Sequence, residues 1–149
     1  MTSEELTEAG RKWLKVQWRI RNHDGSTWDD CGRGGCSVIA VDKMSFSGER
    51  PDLIGWSESL STLIEVKISR ADFLRDESKT WRMYGPGMGQ VRWYLTPKGL
   101  VDLSEIPYGY GLLEWDGAEI SVAQVPIHRG DFYDIKSERA LLLSLLRQK

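Results

Sequence analysis

The stretch Arg50–Asp72, RPDLIGWSESLSTLIEVKISRAD, predicts the centre of the fold. Its second half, Thr62–Ile68, is an apolar run rich in β-branched residues, which is typical of a buried β-strand. Two charged residues, Glu65 and Lys67, lie within this run, and the two-residue period of a strand directs both to the same face. Because a buried carboxylate and a buried ammonium are costly to desolvate, their presence indicates a functional site.

A second carboxylate lies upstream of this strand. Asp52 follows Pro51 at the start of a short strand-like segment, and twelve residues separate it from Glu65. A turn around residues 57–59 would fold the two segments into an antiparallel hairpin and place Asp52 beside Glu65. Converging carboxylates bind a hard divalent cation such as Mg²⁺. Lys67 would then orient or deprotonate a water molecule, or stabilise developing negative charge, so the pattern predicts metal-assisted phosphodiester hydrolysis.

These residues also carry a family resemblance. The sequence PD at 51–52 followed by EVK at 65–67 resembles the PD-(D/E)XK signature of restriction-endonuclease-like nucleases. The longer run over residues 64–101 is similar to the MmcB-like DNA-repair nucleases and to related phage and bacterial proteins. In those proteins a strand end containing lysine and serine leads into an ADF…D helix, and then into a strand that ends P-x-G-L-[VI]. Here one residue separates Lys67 from Ser69, and the similarity covers roughly residues 35–117.

The resemblance implies an α/β fold with a restriction-endonuclease-like αβββαβ core, in which helices flank a mixed central sheet. It also implies a Mg²⁺- or Mn²⁺-dependent deoxyribonuclease that hydrolyses phosphodiester bonds in DNA. In this sequence Asp52, Glu65 and Lys67 would be the catalytic residues. The two carboxylates would bind the metal together with the carbonyl of Val66. Related nucleases often add a glutamate from the first helix, which here points to Glu5.

Composition limits the function classes. The length of 149 residues fits a single domain over residues 1–149, with ordinary hydrophobic and charged fractions of 40% and 28%. A net charge of −2 excludes strong bulk attraction to a polyanion, so DNA would bind through a local basic patch. We expect no membrane span and no signal peptide, and two cysteines without a secretory signal imply a reducing cytoplasm. With no evident sequence-reading motif, we expect structure-selective or weakly specific cutting, in DNA repair or phage DNA processing.

The first predicted helix runs from Ser3 to about Trp18, with Ser3 as its N-cap and apolar residues at helical spacing. Glu5 flanks the apolar face of this helix, whereas Glu8 points further away. Glu5 is therefore the candidate metal ligand and Glu8 the second choice. For both glutamates, capping and solvation of the helix N-terminus is the favoured alternative.

A second helix is predicted over residues 71–84, directly after the charged strand, with Ser69 as its cap. Lys79 and Arg82 on this helix are candidate phosphate contacts, and Ser69 and Arg70 complete the candidate nucleic-acid-binding set. An ordinary solvated helix face is the equally weighted alternative for these positive charges. Downstream, residues 91–95 are predicted as a strand parallel to its neighbour, because a helical crossover precedes it.

Three further segments complete the prediction. Residues 36–46 form a strand, the dipeptide Asp116-Gly117 marks a hairpin, and Ser137–Arg147 forms a leucine-rich terminal helix. That helix would pack on its own core or present a homodimer surface, and we favour the core.

Two other functions stay open. The same fold would also serve as a non-catalytic nucleic-acid-binding or protein-interaction module, with a structural Glu65–Lys67 ion pair and Asp52 on the surface. Cys31 and Cys36, in a C-x₄-C spacing, would alternatively belong to a zinc site. Free thiols are the favoured interpretation, because a structural zinc site needs about four ligands and usually has tighter cysteine pairs.

Overall fold

The structure is a computed structural model that describes residues 1–16, 20–21, 27–28, 35–45, 48–76 and 86–148. Within these ranges the elements are α1 (Ser3–Lys15), β1 (Ile20–Arg21), β2 (Thr27–Trp28), β3 (Val38–Val41), β4 (Leu53–Trp56), β5 (Ser61–Val66), α2 (Arg70–Asp76), β6 (Val91–Pro97), a short 3-10 helix (Leu103–Glu105), β7 (Gly111–Trp115), β8 (Ile120–Gln124) and α3 (Ile135–Arg147). The order α1, β3, β4, β5, α2, β6 matches the predicted α-β-β-β-α-β order. The two-residue strands β1 and β2 form an additional small antiparallel pair.

Six strands of the described chain form one mixed sheet in the order β3-β4-β5-β6-β7-β8. The predicted hairpin is confirmed, because β4 and β5 pair antiparallel with Leu53 opposite Ile64. Strand β6 is parallel to β5, as predicted, and β7 is parallel to β6. The antiparallel strands β3 and β8 lie at the two edges of the sheet.

Helix α1 covers one face of the sheet. Its N-cap is Thr2, whose Oγ1 accepts a hydrogen bond from the Glu5 amide at 3.1 Å. The prediction of Ser3 as the cap was wrong by one residue, because Thr2 has the extended backbone that a cap requires and Ser3 is already helical. The helix ends at Lys15, before the predicted Trp18. Its buried residues are Leu6, Gly10, Trp13 and Leu14.

The sheet separates two apolar layers. On the α1 face, the helix packs against Leu53, Ile64, Val66, Trp93, Leu95 and Leu113. On the opposite face, α3 contributes to a cluster of Ala40, Ile54, Leu63, Met88 and Leu141. Beside it, α2 contributes to a cluster of Phe73, Tyr94, Val101, Ile106 and Leu112. The predicted α/β architecture, a mixed sheet flanked by helices, is therefore confirmed.

Local backbone features set where several elements begin and end. Ser69 caps α2 as predicted, since its Oγ accepts a hydrogen bond from the Asp72 amide at 3.1 Å. Helix α2 is described as far as Asp76, and its predicted continuation to residue 84 lies outside the described residues. Strand β3 ends at Val41, earlier than predicted, because Asp42 has a φ of 53°, in the left-handed region that a strand excludes.

The terminal helix α3 is fixed to the sheet by a buried carboxylate. Glu138 accepts hydrogen bonds from Trp56 Nε1 at 2.9 Å, Ser61 Oγ at 3.0 Å and the Gly89 amide at 2.7 Å. Leu141, on the next turn, enters the core as predicted, whereas Leu143 on the outer face is exposed. None of the helices in the described ranges is long and apolar enough to cross a membrane.

We expect Gly111→Ala to destabilise the protein by about 1–3 kcal/mol, because overpacking a close contact costs that much. A Cβ at Gly111 would lie 2.7 Å from Cζ3 of Trp93 and 2.9 Å from the Gln124 carbonyl oxygen, and neither group has room to move. The measurement is the midpoint of urea denaturation.

Gly10→Ala is the matched control for Gly111→Ala. A Cβ at Gly10 would meet only the flexible tips of Leu53 and Leu95, at 2.8 and 2.9 Å, and the helix would gain about 1 kcal/mol of propensity. We expect Gly10→Ala to unfold close to the wild-type midpoint. Equal midpoints for the two variants would contradict the packing of Gly111 against Trp93.

Candidate functional site

Asp52 lies at the end of the sheet where β4 begins and β5 finishes. The pairing of Leu53 with Ile64 places Asp52 next to Glu65 across the hairpin, as predicted. Asp52 is half-buried, and its Oδ2 accepts a hydrogen bond from the Val66 amide at 2.8 Å. Because the N–H and C=O of an antiparallel strand residue point to the same side, the Val66 carbonyl is also directed toward the edge where Asp52 lies.

Glu65 is almost fully buried, with 2% of its surface exposed. It faces away from α1, and its Oε1 lies 4.0 Å from Nη2 of Arg92 on β6. Arg92 makes a shorter ion pair, at 2.7 Å, with the equally buried Glu49. Since the other oxygen of Glu49 accepts a hydrogen bond from the Met88 amide at 2.8 Å, Glu49 is held firmly against Arg92. Of the two carboxylates near the Arg92 guanidinium, that of Glu65 is therefore the more distant.

Lys67 extends from the end of β5 to the same face as Glu65. Its Nζ donates a hydrogen bond to Oδ1 of Asp76 on α2 at 3.0 Å. Tyr94 on β6 donates to Oδ2 of the same carboxylate at 2.5 Å. The partner of Lys67 is thus Asp76, so the predicted alternative of a structural Glu65–Lys67 ion pair was wrong about the partner. The physical reason is that α2 crosses β6 at this point and places a carboxylate within reach of the ammonium.

The described side chains of this polar layer carry an excess of negative charge. The carboxylates are those of Glu49, Asp52, Glu65 and Asp76, and the cations are Lys67 and Arg92. Carboxylate and carbonyl oxygens are the donors that Mg²⁺ prefers, and Mg²⁺ is usually held by one or two carboxylates while it keeps several water molecules.

A denser metal cage is not seen in the described part of the chain, where no three His, Cys, Asp or Glu side chains are grouped to hold an ion. The carboxylates of Asp52 and Glu65 and the carbonyl of Val66 are nevertheless oxygen donors of the kind that Mg²⁺ accepts together with water molecules.

The two candidate glutamates of α1 differ in their surroundings. Glu8 and Asp52 border the same cavity, of about 440 Å³. Glu5 lines a separate groove of about 920 Å³ between α1 and the β7–β8 hairpin, beside Trp115. Glu8 thus borders both cavities, whereas Glu5 borders only the groove, so the structure places Glu8, and not Glu5, at the cavity that Asp52 lines. A hydrogen bond from Arg11 at 2.7 Å lowers the pKa of Glu8 and keeps it charged.

Two of the four candidate nucleic-acid contacts lie in the described chain. Ser69 is engaged as the cap of α2. Arg70 forms a two-point ion pair with Glu105, at 2.9 and 2.7 Å, and this pair with a backbone N–H lowers the pKa of Glu105 to about 2. Arg70 also donates a hydrogen bond to the Leu100 carbonyl at 3.2 Å, so its guanidinium is engaged within the fold. Lys79 and Arg82 lie outside the described residues.

The hypothesis of a zinc site at Cys31 and Cys36 is tested only at Cys36, since Cys31 lies outside the described residues. Cys36 is buried in the apolar layer under α1, and a Cβ added at Gly55 would lie 2.7 Å from its sulfur. Burial raises the pKa of the Cys36 thiol to about 11. Because zinc binds the thiolate, this environment favours a structural thiol over a metal ligand.

Comparison with family models finds no match to this chain. Comparison with curated proteins also finds no match. Among solved structures the chain is similar to SPO1766, a protein of unknown function from Silicibacter pomeroyi, with a TM-score of 0.58 and 20% identity. The match covers 74% of this chain and 73% of that protein. At this level of identity the similarity concerns the fold alone.

Several residues of the polar layer lie outside the PD…EVK motif. Asp76, which ends the ADF…D pattern, and Tyr94 complete the contacts of Lys67, and Glu49 completes those of Arg92. Arg92 carries one visible signal, because it interrupts an apolar strand just as Glu65 interrupts β5. A charge in a strand buried on both faces requires a partner, and the sequence does not reveal which partner the fold supplies.

The raised pKa of Cys36 predicts a pH dependence of stability. The ordinary pKa of the thiol is 9.0 and the folded-state pKa is about 11. The folded chain keeps the proton that the unfolded chain loses, so this contribution to stability is complete below about pH 9 and is lost as the pH rises toward 11. We expect the free energy of unfolding of the wild type to fall across this range relative to that of Cys36→Ala, as measured by urea denaturation. Since other titrating groups are common to both proteins, a pH-independent difference would contradict the assignment.

Proposed function

We propose that this protein is a divalent-metal-dependent nuclease that hydrolyses phosphodiester bonds in DNA on a restriction-endonuclease-like αβββαβ core. The observation that carries the proposal is the hydrogen bond from the Val66 amide to Asp52. It joins the aspartate of the PD pair to the middle residue of the EVK motif. The element order supports the same core, because the hairpin β4–β5 is followed by α2 and the parallel strand β6.

Asp52, Glu65 and the Val66 carbonyl would hold Mg²⁺ or Mn²⁺, which when bound polarises a phosphate oxygen and acidifies a water molecule. Lys67 supplies a positive charge at this site, and its bond to Asp76 fixes the position of that charge. An ammonium has three N–H donors, so the bond to Asp76 leaves donor capacity for a phosphate oxygen or for the attacking water. A cation that is already held in place stabilises the charge that develops on phosphate without reorganising.

The proposed substrate is DNA, cut structure-selectively or with weak sequence preference, in DNA repair or phage DNA processing. Support for DNA comes from the sequence resemblance to DNA-repair nucleases. With a net charge of −2, the chain has little long-range attraction for a polyanion. We therefore expect DNA binding that depends on local cations such as Arg70 and weakens steeply with salt.

A second candidate function is a non-catalytic module that binds nucleic acid or protein. The observation that favours it is that Lys67 already has a buried counter-ion and Asp52 a backbone donor. In a polar layer with a purely structural role, the buried polar groups need hydrogen-bond partners of this kind. Under this alternative, the wild-type protein binds DNA in a salt-dependent way and cuts none.

The test is cleavage of labelled single-stranded, duplex and branched DNA, with and without Mg²⁺ or Mn²⁺, by the wild type and by Asp52→Asn. Asparagine still accepts the hydrogen bond from the Val66 amide, so the variant removes the charge and leaves the hairpin intact. We expect metal-dependent cleavage that Asp52→Asn reduces at least ~10²-fold, because losing one fixed electrostatic contact to the reacting groups costs that much.

Asp42→Asn is the matched control for Asp52→Asn. Asp42 borders the same cavity as Asp52, but its carboxylate pairs with the exposed Arg50 at 2.8 Å. We expect Asp42→Asn to cleave at close to the wild-type rate. If the folded wild type binds DNA in a salt-dependent way but cleaves none of the substrates, the non-catalytic module becomes the better explanation of the structure.

A further inference from the structure

We propose that Asp76 is the residue that positions Lys67 in the proposed site, and that Tyr94 is the second anchor of this contact. The proposal rests on the proposed nuclease function and adds to it a role for helix α2. Asp76 is a positioning residue, because its side chain is wholly buried and would act on substrate only through Lys67.

The sequence explains how Asp76 reaches the end of β5. Phe73 and Asp76 are three residues apart, so both lie on the same face of α2. Phe73 packs against the ring of Tyr94, with centroids 5.0 Å apart, and Tyr94 in turn stacks on Tyr110 at 4.9 Å. Tyr94 is also the register partner of Glu65 across the β5–β6 pair. Its hydroxyl is therefore fixed close to the strand that carries both charges of the motif.

The carboxylate of Asp76 is held at both oxygens. Oδ1 accepts from Lys67 Nζ at 3.0 Å and Oδ2 accepts from the Tyr94 hydroxyl at 2.5 Å. The lysine side chain has four flexible carbon–carbon bonds, and a single contact at its end leaves many orientations unless that contact is itself immobile. Tyr94 supplies this rigidity, because two ring contacts fix its own position.

The two side chains of the Lys67–Asp76 ion pair differ in their exposure to solvent. The Asp76 side chain is 0% exposed, whereas the Lys67 side chain is 10% exposed. The Lys67 side chain therefore keeps some contact with solvent, whereas the carboxylate behind it has none. Buried ion pairs are in general no more stabilising than apolar residues of the same size, so stability alone is a weak reason for this pair. Holding a reactive cation in place accounts for both the burial and the direction of exposure.

The test combines two readouts on Asp76→Asn and Tyr94→Phe. The first is nitrogen-15 NMR of the lysine ammonium groups, in which the Lys67 signal is assigned by its absence in Lys67→Arg. We expect a protected Lys67 signal in the wild type that is lost or strongly shifted in Asp76→Asn. The second readout is DNA cleavage, for which we expect kcat to fall about 10- to 100-fold with KM unchanged, as for a misplaced catalytic group.

Asp72→Asn is the matched control, since Asp72 lies on the same helix and pairs with the exposed Arg75. We expect Asp72→Asn to leave the Lys67 signal, kcat and KM unchanged.

The outcomes separate this proposal from the proposed function. If the wild type cleaves DNA and Asp76→Asn retains its kcat, the positioning role is overturned and the nuclease stands. If the wild type cleaves no DNA but Asp76→Asn loses the Lys67 signal, the nuclease fails and the positioning of Lys67 stands. A Lys67 signal that is unchanged in Asp76→Asn overturns the positioning role in either case. If Asp76→Asn does not fold, Tyr94→Phe decides the question by the same measurements, with a smaller loss expected because the ion pair remains.

Discussion

Strand β5 is buried along its whole length, yet it contains Glu65 and is followed directly by Lys67, and both charged residues have little contact with solvent. A buried charge without a partner costs several kcal/mol, so the surrounding elements must provide counter-charges from within the fold. Strand β6 brings Arg92 near Glu65, and helix α2 brings Asp76 to Lys67. Helix α2 therefore contacts the sheet through this ion pair as well as through the apolar packing of Phe73 on Tyr94.

The two faces of the sheet differ in polarity. The α1 face is a continuous apolar layer in which Trp13 packs edge-on against Trp93, with ring centroids 5.3 Å apart. The opposite face interrupts its apolar clusters with carboxylates, guanidinium groups and an ammonium. Glu138 fixes α3 to the start of β5 through the hydroxyl of Ser61, while Asp76 fixes α2 beyond the end of that strand. The apolar face packs tightly and supports the sheet. The charged side chains on the opposite face are therefore held in a fixed geometry.

The same contacts that satisfy the buried charges also suit the proposed chemistry. Asp52 accepts the Val66 amide, which holds a carboxylate at the edge of the sheet in front of the strand end. A carboxylate has lone pairs beyond the one that this bond uses, so Asp52 retains the ability to bind a cation. The same hydrogen bonds in the polar layer are therefore compatible both with the proposed catalytic function and with a purely structural one.

The sequence by itself determined the features that depend on local period and spacing. The β-branched run predicted β5, alternation put Glu65 and Lys67 on one face, and the spacing to Asp52 predicted the hairpin that joins them. Tertiary structure alone decided the partners. Glu49 meets Arg92 across 43 residues of sequence, Asp76 meets Lys67 only because α2 crosses β6 there, and the rotation of α1 places Glu8 rather than Glu5 beside Asp52. These pairings depend on how whole elements cross one another, and neither side-chain period nor motif spacing contains that information.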